Sequence, residues 1–170
     1  MPVFARTKIM LQEDCYKEKP ERPTINYVGP NPTKLYEKCY ELIKTIWNAG
    51  DSDIEEEKFS WGKTEKEKFS VRWYLHKDLD LYTYFYIRLE VSGEGDDKAG
   101  KATIRIKPVI RTEYPQDTLW QRSMFYEIMR TFWHRSFYHK KREAYAEECR
   151  SLCTMYQREL VNIFRELRGD

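Results

Sequence analysis

The sequence predicts an α+β fold: an antiparallel meander sheet with an N-terminal strand, one helix at about 32–49, and a long C-terminal helical segment at about 118–168. Three observations predict it. Apolar residues recur at helical spacing after Asn31, they alternate with period two from 54 to 112, and neither proline nor glycine occurs between Pro115 and Gly169. A helix buries one stripe and a half-covered strand one side, so these periods set the layers.

The first strand is expected at 3–11, with Val3, Ala5, Thr7, Ile9 and Leu11 on one side and Phe4, Arg6, Lys8 and Met10 on the other. Residues 13–31 hold three of the seven prolines and much charge, and read as a connecting loop. Asn31 then suits a cap, Pro32 the first helical position, and Gly50 the residue past the end. Leu35, Cys39, Leu42, Ile43 and Ile46 form the buried stripe of that helix.

A strand ending in KFSW (58–61) leads through a polar turn into FSVRWYLH (69–76). KDLD turns into the next strand, 81–91, and ATIRIKPVIRT (102–112) closes the meander. Pro108 within it argues for an edge position or a bulge, because proline donates nothing to a ladder. A single helix over 118–168 would be about 75 Å long, whereas a compact chain of this size is only about 40 Å across. The segment therefore projects or breaks, and HKKRE (139–143) is the expected break. Its dense first half, Leu119 to Phe137, reads as a core helix. Tyr145, Cys149, Leu152, Tyr156, Ile163 and Leu167 make a narrower, heptad-like stripe, expected to cover the sheet or to serve as an interface with another chain.

The chain reads as one domain, 1–170, with 144–168 available to project as an interaction helix. Charged residues make up 34%, apolar ones 41% and aromatic ones 15%, a composition that folds. The formal net charge is only +2, so any anionic partner must be argued from where charges sit. The charge density leans toward a heat-adapted source. No apolar leader and no membrane-length run is present, and the four cysteines lack CxxC spacing, so the expectation is a cytoplasmic protein with reduced thiols and no membrane partner. The order strand, helix, meander, long helix resembles that of helix-grip folds, which implies a curved sheet wrapped around its last helix over a ligand cavity.

The candidate functional residues lie on the side of the strands away from the expected core. Arg72 and Tyr74, then Tyr82, Tyr84, Tyr86 and Arg88, then Arg105 and Lys107 set rings among cations. Single-stranded nucleic acid needs that combination, with bases stacking on rings and phosphates meeting Arg and Lys. Tyrosine and arginine also suit the wet side of any antiparallel sheet. Arg135, Lys140, Lys141 and Arg142 belong to a basic stretch, 118–143, with a surplus of four cations, and would add electrostatic grip.

Cys149 and Cys153, four apart, read as packed fillers rather than metal ligands, because His134 and His139 do not align with each other on a helix. No cofactor is implied. His76, Asp78 and Asp80 share a turn that lacks a nucleophile, so catalysis is not the leading expectation. The expected function is a non-enzymatic binding module for RNA or single-stranded nucleic acid. The alternatives are a small-molecule carrier or cavity enzyme, and a structural subunit forming a homo- or hetero-oligomer through 144–168.

Overall fold

A computed structural model describes residues 10–16, 23–63 and 66–169. It has the expected α+β class: six antiparallel strands, one short helix, and a helical segment running from 124 to 168. The strands are β1 (Met10–Asp14), β2 (Thr24–Gly29), β3 (Ile54–Lys63), β4 (Glu67–Asp78), β5 (Thr83–Gly95) and β6 (Gly100–Glu113). Their spatial order is β1-β6-β5-β4-β3, and β2 pairs with β6 beyond β1. Residues 3–9 of the expected first strand lie outside the described residues.

Alternation along β4, β5 and β6 sends Val71, Trp73, Leu75, Phe85, Ile87, Leu89, Ile104 and Ile106 to one face, where all are buried. Helix α1 (Leu35–Trp47) covers that face with Leu35, Cys39, Ile43 and Trp47. Beside it runs α3 (His139–Arg168), contributing Cys149, Cys153, Tyr156, Leu160 and Phe164. Trp47 meets Tyr156 at 5.5 Å between centroids, and Tyr27 of β2 meets Phe164 at 5.0 Å.

Several expectations need correction. Residues 13–31 are not simply a loop, because β2 lies within them, with Ile25 and Tyr27 inward and Thr24, Asn26 and Val28 exposed. The strand is short and bracketed by prolines, which hid its alternation. Pro108 is neither at an edge nor in a bulge: β6 is an interior strand. The carbonyl of Pro108 accepts from Cys15 N at 3.1 Å, so its nitrogen faces the same side. On that side β1 ends opposite Val109 and β2 begins opposite Arg105, so no ladder bond is missed in the gap. The α1 terminus is set by Asn48 at φ 47° and not by Gly50. Two thiols are not reduced: Cys15 and Cys149 form a disulfide between the end of β1 and α3.

The C-terminal segment neither breaks at 139–143 nor buries its first half. α2 (Met124–Trp133) passes into a π turn, His134–Tyr138, and on into α3 without interruption. Side chains facing the molecule recur every four residues from Tyr126 through Arg130, His134, Tyr138 and Arg142 to Ala146. In an ideal α-helix each such step drifts by about 40°, and the wider π turn takes up about half of the accumulated drift. The stripe from Tyr145 to Leu167 packs on the protein's own core: Cys149 and Tyr156 are fully buried, and Tyr145, Leu152, Ile163 and Leu167 rest against them. That stripe was expected to cover the sheet or to serve as an interface with another chain; it covers the sheet, with its residues buried or half-buried inside the fold. The side chains of α3 pack beneath it, and Tyr74, Tyr84 and Tyr86 lie on the opposite face of the sheet, so these tyrosines do not line a pocket between sheet and helix.

Candidate docking surface

The outer sheet face keeps the expected alternation, but its groups are engaged with one another. Tyr74 stacks on Tyr86 at 5.1 Å, and Arg111 covers Tyr86 at 3.7 Å. His76 stacks on Tyr84 at 4.1 Å. The Tyr84 hydroxyl donates to Glu113 at 2.6 Å; burial, then that carboxylate, pushes the phenol up to about 12. Arg72 donates to Glu90 at 3.0 Å and to Glu57 at 2.8 Å, and Arg88 also donates to Glu90. Burial raises the Glu90 pKa, but the two guanidinium groups outweigh it and hold the carboxyl below its ordinary range. Lys58, Arg105 and Lys107 remain on this face without an acidic partner among the described residues.

Tyr82 does not belong to that row. It precedes β5, and its ring packs edge-on against Trp133 at 6.0 Å and Tyr138 at 6.2 Å. Beside it, Asp80 accepts from the amides of Tyr82 and Thr83 at 2.9 Å and from the hydroxyls of Tyr138 and Tyr145. Lys141, assigned to electrostatic grip from the sequence, pairs with Asp80 at 2.8 Å. Arg142 is likewise turned inward, toward Glu13 at 3.6 Å. Of the four helix cations, Arg135 and Lys140 are exposed and have no partner among the described residues.

The feature that sequence reasoning misplaced is α2. The polar part of this helix faces the molecule. Ser123 caps it, its Oγ accepting from Tyr126 N at 3.2 Å, and Tyr126 donates to the Pro115 carbonyl at 3.3 Å. Gln116 donates to Glu127 at 3.0 Å, and Arg130, with its side chain 8% exposed, pairs with Glu127 while lying 5.3 Å over the Tyr114 ring. Tyr114 and His134 Nδ1 stand 2.7 Å apart. Burial first, then Arg142, His139 and Arg130, lowers the His134 pKa and favours the neutral ring.

The apolar part faces out. Met124, Phe125, Ile128, Met129, Phe132 and Trp133 occupy about half the circumference of α2 at 100° per residue, with no charge among them. Leu119, Trp120 and Phe137 extend the patch at both ends. These nine side chains are 40–73% exposed. With large side chains carrying roughly 150–250 Å² each, they leave on the order of 1,000 Å² of apolar surface in water. Monomers seldom expose patches beyond about 300–600 Å². At one end, Leu81, Tyr82, Trp133 and Phe137 wall a hollow of about 300 Å³ that also touches Asp80 and Lys141.

The density of apolar residues over 119–137 was legible in the sequence; the direction they face was not. A clue was available in the second, polar stripe, Tyr126, Arg130 and His134, at the spacing of an inward face. Among the described residues no group of three or more His, Cys, Asp or Glu side chains is placed to hold a metal ion. No helix among them is long and apolar enough to cross a membrane. No protein family model, curated protein or solved structure matches the chain.

Proposed function

We propose that the chain is a binding module that docks onto another protein through the outward face of 119–137. The observation that carries this reading is the inverted helix. Its hydrogen-bonding side chains are spent on the molecule, and its large apolar ones stand in water. Covering about 1,000 Å² of such surface releases on the order of 25 kcal/mol before the cost of association is met, so a fold that leaves it bare is poised to be covered. Aromatic residues and methionine, without charge at the centre, are the composition of an interface core. A hollow beside Phe137 suits an anchoring side chain.

A photocrosslinking residue at Ile128 tests the reading in cells. The expected result is a discrete protein adduct from position 128 and none from Thr154, which is exposed on α3 away from the patch. The absence of any adduct at 128 rejects it.

A second reading, single-stranded nucleic acid on the outer sheet face, is supported by Lys58, Arg105 and Lys107, which have no acidic partner among the described residues. Already stacked rings and the carboxylates of Glu57 and Glu90 count against it. On this reading, oligonucleotide affinity falls by about 0.7 log units per phosphate contact for each tenfold rise in salt. Arg105→Glu with Lys107→Glu removes most of it. A salt-independent or absent signal rejects this second reading.

A further inference from the structure

We infer that the occupant of the outward face is a second copy of this chain, packed antiparallel about a twofold axis near Ile128. The inference rests on the docking reading above and goes beyond it by naming the partner and the register. Surface area is the first argument. The patch exposes about 1,000 Å² per copy, and a stable interface buries about 800 Å² per partner. A twofold axis makes one patch sufficient for both sides.

Charge is the second argument, and it selects the orientation. The rim of the patch carries an exposed Asp117 at its N-terminal end and exposed Arg135 and Lys140 toward its C-terminal end. The side chains of all three are without a partner among the described residues. A parallel pair would set Lys140 against Lys140 and Arg135 against Arg135. An antiparallel pair centred on Ile128, midway between Leu119 and Phe137, sets Asp117 of each copy near Lys140 of the other. Unlike charges then meet at both ends. The exposed Arg122, whose Nε donates to the Gln116 carbonyl, comes level with Arg135 of the other copy, but a parallel pair would set all four of these residues against like charges.

The same register accounts for the hollow. Residues equally far before and after Ile128 along the helix come level with each other, and Leu119, in the turn leading into α2, is carried toward the Trp133 and Phe137 wall of the other copy. Leu119 is 73% exposed, so most of its side chain is free to be covered.

The purified chain tests the arrangement directly. Light scattering at rising concentration is expected to report two chains, and Ile128→Glu to return one. Asp117→Lys and Lys140→Asp are each expected to weaken association at least about tenfold, since each sets like charges against one another. An equimolar mixture of the two variants is expected to regain most of the affinity. In the mixed pair the introduced lysine meets the introduced aspartate at one end, and the native Asp117 and Lys140 meet at the other. All three sites are exposed, and far-UV circular dichroism spectra matching the wild type exclude misfolding as the cause, since loss of the dimer by itself lowers the melt. A chain that stays monomeric at high concentration, or a mixture that stays as weak as its components, overturns the proposal. If the wild type is monomeric and instead sediments with phosphatidylserine vesicles, the occupant is a lipid surface and the second copy is rejected. If it is monomeric yet the Ile128 adduct forms in cells, the docking reading survives with a different protein in that place.

Discussion

Asp80 does more for this fold than its place in a turn suggested. Burial pushes its pKa up, but Lys141, the Tyr82 and Thr83 amides and the Tyr138 hydroxyl outweigh that and bring it to about 2. A carboxyl depressed in the folded state stabilises it above the unfolded value, near 4. That contribution is lost as pH falls through about 2. Asp80→Asn should therefore cost about 2 kcal/mol near neutral pH, and the difference from wild type should close in melts taken between pH 4 and 2. A constant difference across that range would show that the carboxylate charge is not what holds the loop. Tyr138 also contacts Thr83, which in turn bonds Thr112 at 2.8 Å within the sheet. Tyr138→Phe leaves these buried groups short of a partner, for an expected loss of about 1–2 kcal/mol by chemical denaturation. Neither partnership follows from spacing in the sequence, because Asp80 and Tyr138 are 58 residues apart.

Among the elements, the π turn decides which side of the C-terminal segment is inside. It joins the inward stripe of α2 to that of α3. Deleting Ser136, an exposed residue of that turn, restores α-helical spacing and rotates one helix against the other by about 100°. The expected outcome is unchanged helicity by circular dichroism with a melt lowered by several degrees. An unchanged melt would remove the π turn from the account. Ser123→Ala tests the start of the same helix, at an expected cost of about 1 kcal/mol. The sequence carried the length of this segment through its lack of proline and glycine. It carried no sign of the π turn, which no residue type specifies and which follows from contacts on the sheet.

For the molecule as a whole, the disulfide between Cys15 and Cys149 ties the end of β1 to α3 across 134 positions. By restricting the unfolded chain, a disulfide is typically worth about 2–4 kcal/mol. Reduction should lower the melting temperature by about 5–15 °C for a chain of this size. Cys15→Ser should reproduce that loss and become insensitive to reductant. Insensitivity of the wild type would mean that the bridge contributes nothing. The remaining thiols, Cys39 and Cys153, are buried, and burial pushes both up to about 12, so they stay protonated fillers of the α1–α3 seam.

Period and composition determined the elements. Alternation marked β3 to β6, helical spacing marked α1 and α3, and the strand sides of Tyr84 and Tyr86 followed from strict period two. Only the tertiary structure decided which apolar stripes are buried, because a stripe states that a face avoids water without stating what covers it. The sheet offers one covered face, α1 and α3 fill it, and α2, displaced beyond the sheet by the 114–123 connection, must turn its equally apolar stripe outward.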